Sequence, residues 1–108
     1  MERRLFVLQR LTAMVLAPLV LVHLGLVLVA IRGGLTAGEI LARTQGSVGW
    51  ALFYGLFVVA VAIHAPIGIR NVLREWTGLA SRAVDCLALG FGGPLLVVGL
   101  RAVWAVVG

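Results

Sequence analysis

Three stretches of the chain contain no Asp, Glu, Lys or Arg: residues 11–31, 44–69 and 86–100, or 21, 26 and 15 positions. An α-helix rises about 1.5 Å per residue and the hydrocarbon layer of a bilayer is about 30 Å thick, so each of the first two is long enough to span a membrane. The third reaches that length by running past Arg101 towards Gly108. The pattern predicts three membrane helices, over about residues 5–31, 48–76 and 83–107. Gly33-Gly34 ends the first, the polar stretch from Thr36 to Ser47 forms a loop, and Thr77-Gly78 closes the second. A short turn with Ser81 and Arg82 leads into the third, where Pro94 is expected to kink the helix. The predicted fold class is an all-α membrane protein, with one three-helix domain over residues 1–108.

Composition supports this reading. The chain is 62% apolar and 12% charged, with a mean hydropathy of +1.13, whereas a soluble domain carries about a quarter charged residues. All nine basic residues are arginine, against four acidic residues. Despite a pI near 11.5, a nucleic-acid partner is not expected, because the arginines cluster at helix ends, where they meet headgroups or partner proteins. Arg3, Arg4, Arg10, Arg70, Arg74 and Arg82 lie on one side, and Arg32, Arg43 and Arg101 on the other. The positive-inside rule then puts the N-terminus in the cytoplasm and the C-terminus outside. The first apolar run is longer than a signal-peptide core and lacks a small-x-small cleavage site before Arg32, so it is expected to be retained. Cys86 is the single cysteine and offers no intrachain disulfide.

Only two ionisable residues fall well inside the predicted spans, His23 and His64. Such residues are costly in hydrocarbon and mark functional sites; the alternative is a neutral histidine bonded to a neighbouring hydroxyl or carbonyl. His23 lies 13 residues beyond Arg10, about 20 Å from the cytoplasmic end, and His64 lies 6 residues before Arg70, about 9 Å from it. Two axial imidazoles on one iron have nitrogens only about 4 Å apart. The difference of about 11 Å therefore disfavours one metal held by both. As ligands they serve two sites, each completed by another chain. Gly68, Asn71 and Glu75 follow His64 at helical offsets, and Gln9, Thr12, Leu16, Leu19 or Val20, and His23 form a similar stripe on the first helix. Two such stripes predict a buried interface. Gly68 leaves room either for a flat macrocycle or for a close helix contact. Arg10, at the mouth of the first span, suits an acidic propionate, and the Trp76 indole N–H suits a quinone carbonyl.

The segment His64-Ala-Pro-Ile-Gly-Ile-Arg-Asn-Val-Leu-Arg-Glu-Trp76 resembles the second-helix signature of the membrane-anchor subunits of succinate dehydrogenase and fumarate reductase. There a haem-ligating histidine is followed by a glycine four residues on and an acidic–aromatic pair near the helix end. Gln9-Arg-Leu-Thr-Ala-Met-Val-Leu16 resembles the start of the first helix in the smaller anchor subunit. The resemblance implies that His64 is an axial ligand of haem b near the cytoplasmic side and that Arg10 contacts a propionate. It also implies that Glu75 and Trp76 border a ubiquinone or menaquinone pocket. Trp76 stands where the family usually has a tyrosine, which alters the hydrogen-bonding group, and the serine of the larger anchor subunit is absent from the Phe6-Val7 region. The 41-residue separation of His23 and His64 is similar to the two-haem members, so one or two haems are expected, shared with a second anchor subunit. The remaining implied partners are the flavoprotein and iron–sulfur subunits and membrane lipids, at the cell inner (cytoplasmic) membrane. The chain is then non-catalytic alone. Two rivals stand beside this reading: a haem-free structural anchor, and a small multidrug-type transporter, which calls for a carboxylate inside a span.

Overall fold

The apolar runs form helices because a chain in hydrocarbon must satisfy every backbone N–H and C=O internally. The computed structural model describes residues 2–108, and among these the elements are α1 (Glu2–Gly33), α2 (Ala37–Thr44), α3 (Val48–Trp76) and α4 (Ser81–Val107). There is no strand among the described residues. α1, α3 and α4 are each long and apolar enough to cross a membrane. The observed α3 has the bounds read from the sequence, whereas α1 extends the expected 5–31 at both ends and α4 begins two residues before 83. Each long helix runs unbroken through its proline, Pro18, Pro66 or Pro94.

The connection expected as a loop contains α2. Thr36 caps it, accepting from the Glu39 backbone N–H at 3.3 Å and donating to the Glu39 carboxylate at 2.7 Å. The Glu39 carboxyl occupies the space that a side chain at Gly34 would need, and Gly34 has φ +119°. Both facts require glycine there. The far end of α2 serves α4. The last carbonyls of a helix have no partner within it, and here Thr44 Oγ1 donates to Val106 O at 2.6 Å, Gly46 N to Val107 O at 2.8 Å, and Gln45 Nε2 to Gly108 O at 3.1 Å. Thr44 is buried by this contact.

α3 packs against both α1 and α4, which share no comparable interface with each other. The α3–α4 seam is built on small residues: Ala88 and Gly92, one turn apart, are buried. A Cβ at Gly92 would come within 2.5 Å of the Pro66 ring, and one at Gly99 within 2.6 Å of Val58. Such positions let two backbones approach closely where no hydrophobic force drives helices together. Gly90 and Gly93, by contrast, face open space. Gly92→Leu is therefore expected to destabilise the bundle by about 1–3 kcal/mol through overpacking, and Gly90→Leu to leave it unchanged. Unfolding in mixed micelles followed by circular dichroism checks this, and equal effects of the two substitutions would refute the seam.

Candidate functional site

The two polar stripes meet along the α1–α3 seam. Thr12 Oγ1 lies 3.2 Å from His64 Nδ1, and one helical turn away a Cβ at Gly68 would stand 3.4 Å from Gln9 Nε2. Thr12 and Leu16 are the buried residues of the α1 stripe. Proline at position 66 separates the two faces of α3. Residues two apart on a helix point nearly opposite ways, so His64 meets α1 while the Pro66 ring meets Gly92 of α4. His64 is half-buried and shares an open recess with Ala65, Gly68, Ile69, Val72 and Leu73. No hydrogen-bonding group among the described residues reaches its Nε2.

Beyond Gly68 the seam opens into a polar recess lined by Leu5, Phe6, Gln9, Arg10, Asn71 and Glu75. Gln9 Oε1 is buried there without a hydrogen-bond partner among the described residues. An orphaned polar atom of this kind is costly. Arg10 is exposed, with its guanidinium carbon 5.7 Å from the centroid of the Phe6 ring. Glu75 is exposed and Trp76, the last residue of α3, is 81% exposed. Glu75 lines that recess, whereas Trp76 is not among its lining residues.

His23 lies elsewhere. Its ring tilts against Phe57 at 5.2 Å and meets the edge of Tyr54 at 6.4 Å between centroids. It lines a separate recess with Arg43, Thr44, Trp50 and Tyr54, beside α2. His64 is level with Thr12, and His23 lies 11 residues further along α1, about 16 Å in rise. That exceeds the separation of about 11 Å expected from the flanking arginines. One metal bound by both histidines of a single chain is excluded by this distance. No group of three or more His, Cys, Asp or Glu residues is placed to hold a metal ion among the described residues, so each histidine can offer a metal one donor.

Sequence reasoning missed one ion pair. Arg70, one of the helix-end arginines expected to meet headgroups or partner proteins, is 8% exposed, and its Nε donates to Asp85 Oδ1 at 2.8 Å across the α3–α4 turn. The signal was present: positions 70 and 85 lie at similar distances from the turn at 77–80, so an antiparallel hairpin brings them level.

The sequence model of one family, described as the succinate dehydrogenase/fumarate reductase transmembrane subunit, matches residues 2–106. Neither the curated proteins nor the solved structures give a match.

The Arg70–Asp85 pair holds a buried charge, and removing one partner leaves the other costly to keep. A double-mutant cycle of Arg70→Met and Asp85→Leu is expected to give a coupling energy of about 1–2 kcal/mol. Detergent-unfolding curves of the four proteins measure it, and additive effects would show that the contact contributes nothing.

Proposed function

The chain belongs to the succinate dehydrogenase/fumarate reductase transmembrane-subunit family, and we propose that within it this protein is the haem b-binding, smaller membrane anchor of a succinate:quinone oxidoreductase. It lies in the cell inner membrane with its N-terminus in the cytoplasm. It carries the iron–sulfur and flavoprotein subunits on that side and pairs with a second anchor subunit. The observation that carries this reading is His64 at the α1–α3 seam: one ring nitrogen faces a threonine of α1, the other has no protein partner among the described residues, and an open recess adjoins the ring.

The residues present fit such a cofactor. His64 offers the axial nitrogen, Gly68 keeps the next turn of the same recess clear of side chain, and Arg10 lines a second, polar recess farther along the α1–α3 seam, where a propionate would need a cation. When bound, haem b supplies a one-electron relay or buffer between the iron–sulfur subunit and quinone. Glu75 and Trp76 border the quinone site, which their exposure leaves for the partner subunits to complete. Trp76 can donate one indole N–H to a quinone carbonyl but cannot accept. His23 is read as the ligand of a second haem towards the outer side, also shared with the second anchor. Its exposure on the α1 face supports this, because lipid offers an imidazole no hydrogen-bond partner.

The transporter alternative has no support in the helices: Glu75 is in the last turn of α3 and Asp85 in the first two turns of α4, paired with Arg70.

In the purified complex, His64→Ala is expected to remove most of the dithionite-reduced b-type absorption, and an unchanged spectrum would overturn the ligand assignment. Pyridine haemochrome titration against flavin is expected to give two haems per flavin, falling to one in His23→Ala. A wild-type ratio of one would remove the second site.

A further inference from the structure

Thr12 has one hydroxyl hydrogen and three neighbours. Its Oγ1 lies 2.8 Å from Leu8 O, 3.1 Å from Gln9 O and 3.2 Å from His64 Nδ1. The two carbonyls can only accept, so the hydroxyl hydrogen belongs to one of them, in the back-bond that threonine commonly makes one turn up its own helix. Were the hydrogen directed at His64 instead, the oxygen would face both carbonyls with nothing between them. Thr12 is 8% exposed, so it sits in a setting where bulk water does not compete for these positions. The hydroxyl oxygen therefore turns a lone pair to His64, whose Nδ1 must carry the hydrogen.

We propose that Thr12 is a positioning residue: its back-bonded hydroxyl accepts from His64 Nδ1–H, locks the imidazole in the Nδ1-protonated tautomer, and so leaves the Nε2 lone pair as the one available to a metal. This rests on the reading of His64 as a haem ligand and deepens it. A ligating histidine commonly donates its second ring N–H to an acceptor that fixes the tautomer and makes the metal-bound nitrogen more basic. Here the acceptor comes from a different helix, so the contact also ties the orientation of the ligand to the packing of α1 on α3. Leu8 O and Gln9 O act one step further back, by holding the hydroxyl hydrogen away from the imidazole.

Two measurements test it. The first needs neither a substitution nor haem: in 15N-histidine-labelled full chain in micelles, His64 is expected to show a pyrrole-type Nδ1 and a pyridine-type Nε2. The reverse assignment would overturn the proposal. The second is a redox titration of the assembled complex. A more basic imidazole favours oxidised iron, so Thr12→Val, which removes the acceptor at nearly constant volume, is expected to weaken the preference for oxidised iron about tenfold. That is a rise of about 59 mV for a one-electron couple. Thr12→Ser, which keeps the hydroxyl, is expected to hold the wild-type potential. A Thr12→Val complex with the wild-type potential, or a Thr12→Ser complex that behaves like Thr12→Val, would refute the role of Thr12. His64→Ala separates the two claims: retained b-type absorption there would sink the ligand assignment itself, whereas its loss together with an unmoved Thr12→Val potential would sink only the positioning role.

Discussion

The constraint on which this structure depends is that hydrocarbon offers no hydrogen-bond partner, so each polar group placed between the arginine-marked ends must find one in protein. The backbone meets it by helix formation. The exceptional groups meet it in pairs: Thr44, Gln45 and Gly46 serve the last carbonyls of α4, Arg70 is held by Asp85, and Thr12 faces His64. α2 exists in this sense for α4. Its eight residues are far too few to cross a membrane, and their contribution is to place a buried threonine and a turn glycine against the end of a neighbouring span.

α3 is the organising helix because its two faces do different work. The face carrying Val58, Pro66 and Arg70 receives the small residues and the acidic group of α4. The face carrying His64 and Gly68 receives the polar stripe of α1. Close backbone approach on one side fixes the rotation of α3, and that rotation decides where the imidazole on the other side points. Packing and site geometry are thus one problem.

Much of this was legible in the chain. The charge-free runs located the three spans, and the helical offsets of His64, Gly68, Gln9 and Thr12 marked the faces that meet. α2 was missed because its residues were read for polarity alone, although Thr36-Ala-Gly-Glu39 has the spacing of a helix start. The separation of the histidines in depth is larger than the flanking arginines suggest, for a specific reason. Arg10 and Arg70 serve as level markers at one membrane face only if both are solvated there. Continuing the register of Thr12 with His64 and Gln9 with Gly68 puts Arg70 level with residue 6 or 7, three or four residues or about 5 Å beyond Arg10. Arg70 is held by Asp85 on α4 rather than by a headgroup, so it marks the α3–α4 turn and not the membrane surface.

The wide separation of the two histidines limits what the chain can do alone. Two imidazoles about 16 Å apart in depth lie on the same pair of helices, yet their surroundings differ. His64 is half-buried and engaged by Thr12, whereas His23 is exposed and touches aromatic rings. Facing lipid, an exposed imidazole would forfeit its hydrogen bonds, and the orphaned Gln9 Oε1 shows the same incompleteness at the other end of the seam. Both lie along the side where α1 meets α3, and α4 packs against the other face of α3. The groups left incomplete by this chain therefore gather on the side away from α4. On the function proposed above, a second anchor subunit and its cofactors, seated there, would satisfy them by the same rule that shaped the rest of the bundle.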